Sequence, residues 1–249
     1  MRTGIELSGK TALITGATRG IGRAIADAFL DAGAHVVLTG TKPDEIEQLS
    51  ASNNNPQEKW LMADFNTKDG IDSFIYELMK MDTIDICVNN AGINIIKPYE
   101  EYSFEEYQRL ISINLTAPFM VVQTLIPSMI KREYGRIVSI ASIWSQISKQ
   151  GRALYATSKT GLVGFTRSLS VEYAASNILV NAVSPGFTRT DLTKHSLSLD
   201  EIKELSSQIP IQRLAEPHEI AKVVLFLCSN LNTYITGQNI LVDGGFSVV

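Results

Sequence analysis

Short apolar runs alternate with amphipathic stretches along this chain, and the alternation predicts its architecture. Seven runs read as strands: Thr11–Thr15, His35–Thr39, Trp60–Ala63, Ile84–Val88, Arg136–Ile140, Leu179–Ala182 and Asn239–Val242. Most are β-branched or aliphatic throughout, the pattern of parallel strands covered on both faces. Between them, Gly20–Ala32, Asp44–Leu49, Lys68–Met79, Phe104–Arg132, Tyr155–Ala175 and Pro217–Cys228 carry helical spacing. Pro217 suits a helix start, where its fixed φ and missing donor do no harm. Strand and helix in regular succession predict an α/β fold, a doubly wound parallel sheet (Rossmann fold) with helices on both faces. Asn53-Asn54-Asn55-Pro56 reads as a local loop rather than a linker, so residues 1–249 are expected to form a single domain. Such sheets bind ligands beyond the carboxyl ends of their strands.

Charge narrows the choice of partner. Twenty-two Lys and Arg against 26 Asp and Glu leave a net charge of −4, with no electrostatic reason to expect nucleic acid or an anionic membrane. No apolar stretch reads as long enough to span a bilayer, and residues 1–9 lack the apolar core of a signal peptide. Cys87 and Cys228 have no C-x-x-C spacing and read as free thiols of a reducing compartment. The expected location is the cytoplasm. His35, His195 and His218 show no metal-ligand spacing, and no metal is expected.

The first strand runs into Gly16-Ala17-Thr18-Arg19-Gly20-Ile21-Gly22, and a helix follows. This order suits a pyrophosphate. Glycines let the backbone approach the phosphates, and the helix N-terminus offers free N–H groups. A tight strand-to-helix turn needs glycine for structure alone as well.

Thr15-Gly16-x-x-x-Gly20-x-Gly22 resembles the cofactor fingerprint of the short-chain dehydrogenase/reductase family. Asn89-Asn90-Ala91-Gly92, after the fourth strand, resembles the family's next landmark. The resemblance implies that Gly16, Thr18, Arg19, Gly20, Ile21 and Gly22 cradle a nicotinamide cofactor. It implies too that Asn90, Ala91 and Gly92 border the adenosine ribose, and that Asp64, with Phe65 beside it, contacts the adenine. Read on its own, Asp64 is a helix cap or loop acid. The segment after the second strand, Leu38-Thr39-Gly40-Thr41-Lys42, has no acid to accept from a ribose 2′-hydroxyl. Arg19 can pair with a 2′-phosphate, with Thr41 and Lys42 as further donors, so NADP(H) is expected and NAD(H) is the alternative.

Tyr155 and Lys159 stand four residues apart at the start of a helical segment, hence on one face. An unperturbed phenol has a pKa of about 10, and a neighbouring ammonium, with the positive nicotinamide ring of the oxidised cofactor, is expected to favour phenolate and tune it for acid/base work. A Tyr-x-x-x-Lys pair alone is also a common surface pair. Ser142, thirteen residues before Tyr155, and Asn114 match the family's other catalytic positions. The resemblance implies that Ser142 holds the substrate oxygen against the phenol. It implies that Asn114 perturbs its helix and holds a water linking Lys159 to solvent. Ser184-Pro185-Gly186-Phe187-Thr188-Arg189-Thr190-Asp191 resembles the family's nicotinamide segment, with Pro185, Gly186, Phe187, Thr188 and Thr190 as candidate contacts.

Within the family, the chain is most similar to bacterial 3-oxoacyl carrier-protein reductases. The resemblance implies reduction of a ketone to a secondary alcohol, an acyl carrier protein as a partner, and a homotetramer built on the two long helices and the C-terminal segment. Glu133 and Ser176 stand where those reductases carry basic residues for the acidic carrier. The loop Ile143–Leu154 carries Trp144 and Arg152, candidate substrate contacts with Ser142 and Tyr155. Arg152 can grip a carboxylate or phosphate, or it is a plain loop arginine. A sugar, polyol or small keto acid is therefore the alternative substrate. An inactive cofactor-binding regulator is the remaining one, against which Asn114, Ser142, Tyr155 and Lys159 argue.

Overall fold

The computed structural model describes residues 4–190 and 198–249, and Asp191 and His195 lie outside them. Among the described residues, seven strands form one parallel sheet: β1 Thr11–Ile14, β2 His35–Gly40, β3 Glu58–Met62, β4 Ile86–Asn89, β5 Gly135–Ile140, β6 Ile178–Pro185 and β7 Asn239–Val242. Their order is β3-β2-β1-β4-β5-β6-β7, so the winding reverses between β1 and β4, the place where such sheets open a crevice. This is the expected doubly wound fold.

The continuous apolar strands hide a period of two. Ala12 and Ile14 face one side with Ile25 and Phe29 of α1 (Gly20–Asp31) and Ile220 and Val224 of α8 (Pro217–Cys228). Leu13 faces the other, with Phe74 of α3 (Lys68–Met79) and Val121, Leu125 and Met129 of α5 (Ala117–Arg132). Helix α6 (Ala153–Tyr173) adds Leu169 to that second layer, and α2 (Pro43–Ser52) sends Ile46 into the first. Cys87 and Cys228 are buried free thiols, and burial pushes both up, Cys87 to about 12, so neither is a thiolate near neutral pH.

Three sequence expectations need correction. The helix expected over Phe104–Arg132 is α4 (Phe104–Ile111), a π-helical turn (Ser112–Thr116) and α5. By length and composition that run is apolar enough to cross a membrane, contrary to the reading that no stretch is. Its apolar face is packed against the sheet: Ala117, Val121, Val122, Leu125, Ile126 and Met129 are buried in the second core layer. A further helix, α7 (Leu199–Ser207), stands where none was expected. Its sequence signal is the Ser198–Glu201 capping box, in which Ser198 Oγ accepts from Glu201 N at 3.3 Å and Glu201 accepts from Ser198 N at 2.7 Å.

Candidate active site

Thr15 and Asn90 lock the tips of β1 and β4 together. The Thr15 hydroxyl accepts from Asn90 N and Ala91 N, each at 3.0 Å. The Asn90 amide donates to Thr15 O at 2.9 Å and Gly16 O at 2.8 Å. Gly16 N in turn donates to the Thr39 hydroxyl at 3.0 Å, which joins the turn to β2. Gly22 is a packing necessity, since a Cβ there would lie 2.3 Å from Gly16 O and 2.5 Å from Asn90 Nδ2. Gly20 takes φ +60 and faces Thr190, while Thr18 stands against Gly40.

The turn delivers α1 with an open N-terminus. Arg19 at the N-cap makes no side-chain cap, and the first turn holds no acid. Helices α3, α4, α7 and α8, by contrast, begin with a side chain bonded to the free N–H groups. Free amides and an unopposed helix dipole suit a pyrophosphate, so the residues present fit a dinucleotide. Thr41 and Lys42 are exposed past β2. Asp64 accepts from Asn66 N at 2.9 Å, as a loop acid does. The Phe65 ring is buried in the core, edge-on to Phe74, which leaves only its backbone for a ligand.

Beside this turn opens a cleft of about 850 Å³. It gathers most of the candidates: Arg19, Ile21, Asn90, Gly92, Ser142, Trp144, Arg152, Tyr155, Lys159, Pro185, Gly186, Thr188 and Thr190. Gly16, Thr18, Gly20, Gly22, Thr41, Asp64, Phe65 and Ala91 are not among its lining, and Asn114 is wholly buried behind it. The sequence reading missed Ile93–Ile96 and Arg109 on one wall, and Glu201, Glu204, Leu205 and Gln208 on and beside α7. Only the α7 group had a signal, its capping box.

Ser142 is extended at the tip of β5, and its hydroxyl accepts from Trp144 N at 3.3 Å and stands near enough to the Tyr155 phenol to favour its ionised form. Lys159 is 4% exposed and donates to Ile140 O at 2.8 Å. Gly92 leaves room for it: a Cβ there would stand 3.3 Å from Lys159 Nζ and 3.4 Å from Asn114 Oδ1. Asn114, in the π turn, accepts from Ile93 N at 2.9 Å and donates to Ile93 O at 2.9 Å and Ser158 Oγ at 3.1 Å. It therefore ties the loop after β4 to α6.

Burial dominates the electrostatics of the site. Burial holds the Tyr155 phenol above its ordinary value, opposed by the Ser142 hydrogen bond and then the Arg152 cation. The Lys159 ammonium lies 5.7 Å from the ring centroid, and burial pushes its own pKa down to about 8. A phenol protonated at neutral pH beside a hydroxyl can donate a proton to a ligand oxygen between them.

An open helix N-terminus beside a Ser-Tyr-Lys wall, at the reversal of a parallel sheet, defines a dinucleotide-dependent oxidoreductase site. A family model described as enoyl-(acyl carrier protein) reductase matches residues 16–247. The 3-oxoacyl-(acyl-carrier-protein) reductase of Aquifex aeolicus (strain VF5) is 42% identical over 246 residues, 97% of this chain and 98% of the relative. That of Escherichia coli (strain K12) is 37% identical over 246 residues, 98% and 100% of the two chains. A gluconate 5-dehydrogenase from Burkholderia cenocepacia J2315, solved in complex with NADP and tartrate, matches with a TM-score of 0.90 at 28% identity, over 98% of this chain and 97% of that one. The chain belongs to the short-chain dehydrogenase/reductase family, as an NAD(P)-dependent oxidoreductase acting on a keto or hydroxyl group.

Proposed function

We propose that this protein, as one domain, interconverts a ketone and a secondary alcohol with NADP(H). The observation that carries the reading is the convergence of Ser142, Tyr155 and Lys159 on a cleft beside the uncapped α1 N-terminus. Bound NADP(H) supplies or accepts the hydride. Tyr155 gives its phenolic proton to the substrate oxygen in reduction and takes it back in oxidation. Ser142 donates to that oxygen and holds it against the phenol. Lys159 has two N–H groups beyond its bond to Ile140, which suit a ribose hydroxyl. Asn114 acts by position, fixing Ile93 and Ser158. Asn90, Ala91, Gly92, Asp64 and the Phe65 backbone flank the adenosine side, and Pro185, Gly186, Thr188 and Thr190 the nicotinamide. Arg19, with Thr41 and Lys42, favours NADP(H), since no carboxylate closes β2; the Burkholderia relative was solved with NADP.

The curated relatives make a 3-oxoacyl carrier-protein thioester one candidate substrate. A small keto acid or keto sugar is the second, because Glu133 is exposed and Ser176 is neutral where carrier-docking cations are expected. Assembly is proposed as a homotetramer through α5 and α6, where Phe119 stays 46% exposed with Phe165 beside it at 5.9 Å. The cytoplasm fits its two buried thiols. The test is cofactor oxidation with NADPH and NADH against a 3-oxoacyl carrier thioester, keto sugars and keto acids. Turnover of any ketone, faster with NADPH, is expected. No oxidation across the panel overturns the reading.

A further inference from the structure

The wall of the cleft around Tyr155 carries cations that the reaction chemistry does not use. Arg152 N bonds Lys149 O at 3.2 Å across a turn whose Gly151 takes φ +76. The Tyr102 hydroxyl clamps this turn, donating toward Gly151 O at 3.2 Å and Ile95 O at 2.8 Å. The Arg152 guanidinium lies over the Trp144 ring, 5.4 Å from its centroid, and is half-buried. Trp144 is itself fixed edge-on to Phe187. Lys149 and Arg109 line the same cleft from exposed positions at its rim. Among the described residues, none of the three cations has a carboxylate within ion-pair distance. The acids across the cleft, Glu201 and Glu204, pair with none of them, and Glu201 is turned back onto Ser198.

A half-buried guanidinium that bonds neither a carboxylate nor, unlike Arg136, backbone carbonyls is unfavourable unless a ligand supplies a partner. Here the group is held in place by a clamped turn and an aromatic face, so little ordering remains to be done on binding. We propose that Arg152, supported by Lys149 and Arg109 at the rim, binds an anionic group of the ketone, a carboxylate or a phosphate, and so makes small anionic ketones the preferred substrates. The proposal rests on the cleft being the carbonyl-reducing site. Arg152 lies one helical turn before Tyr155, so a gripped anion also orients the carbonyl toward the phenol.

Two measurements test it. Calorimetric titration of the NADP-saturated protein compares a series of keto acids, with one to four carbons between carbonyl and carboxylate, with their methyl esters. A second arm compares dihydroxyacetone phosphate with dihydroxyacetone, and the arm with the larger ratio names the anion. NADPH oxidation follows the same pairs. For the best acid or phosphate, binding about tenfold to a hundredfold tighter than its neutral partner is expected, as for a lost charge-assisted pair. In Arg152→Gln that ratio collapses toward one, and Arg152→Lys restores part of it. Equal affinity within every wild-type pair overturns the proposal, as does an unchanged ratio in Arg152→Gln. If Arg152→Gln does not fold, the ratio in Arg109→Ala/Lys149→Ala and its decline with salt decide: a ratio indifferent to both overturns it. Absence of NADPH oxidation with every ketone defeats the reductase reading instead, and the binding ratio still judges the anion site.

Discussion

The two ends of the sheet treat buried charge differently. At the amino ends, Asp85 accepts from Thr11 N at 3.0 Å, with Lys10 at 3.9 Å and Arg132 at 3.8 Å. Arg136 donates to Gly135 O at 2.8 Å and Asn177 O at 2.9 Å, beside the Tyr134 ring at 4.6 Å. At the carboxyl ends, about 20 Å away along β5, Lys159 has one carbonyl partner, Arg152 has an indole face, and α1 has an open N-terminus. The amino end bonds most of its charged groups within the chain, although Nε of Arg132 and of Arg136 has no partner. The carboxyl end leaves Lys159, Arg152 and the α1 amides open to a ligand, which marks it as the working end.

Substituting one charge at each end separates the two roles. Lys159→Met is expected to lower turnover at least about a hundredfold. At neutral pH it should not destabilise the fold and should stabilise it by up to a few kcal/mol, because burial already disfavours the Lys159 charge. The sign follows from proton uptake. Between about 8 and the ordinary value of 10.5, the unfolded amine holds a proton that the native one has released. Wild-type stability therefore rises with pH through that window, relative to Lys159→Met, in urea titrations at several pH values. A variant less stable than wild type at pH 7 by several kcal/mol would mean that Lys159 is a structural group. Asp85→Ala should show the reverse pattern, a loss of about 2 kcal/mol with turnover per folded molecule unchanged.

A smaller effect sharpens the cofactor side. Arg19→Ala should raise the KM for NADPH about tenfold and leave that for NADH nearly unchanged, since only the 2′-phosphate contact is removed. Equal shifts would place Arg19 on the pyrophosphate instead. The direction of the Tyr155 shift adds a pH dependence. Reduction needs the protonated phenol, which burial favours, so reduction should hold through neutral pH and fail only in alkali, whereas oxidation should gain with rising pH.

The sheet was legible because parallel strands covered on both faces are apolar end to end. Tyr155 and Lys159 were legible as a pair because four residues make one helical turn. The π turn at Ser112–Thr116 was not, since a single inserted residue leaves the apolar spacing of Phe104–Arg132 almost intact. The burial of Lys159 was not legible, because a sequence shows which charges are near but not how far they are withdrawn from water. Arg152 was visible as a residue. Its clamp was not, because Tyr102 and Gly151 are 49 positions apart and meet only in the fold.

The central claim is that Tyr155 passes the proton at a site that binds cofactor without it. Tyr155→Phe, loaded with NADPH and mixed with a ketone that the wild type reduces, tests this in a single turnover. The account predicts NADPH affinity within about twofold of wild type and oxidation slowed at least a hundredfold, the usual range for losing a general acid. Oxidation at near wild-type rate in a variant with equal NADPH occupancy would contradict it.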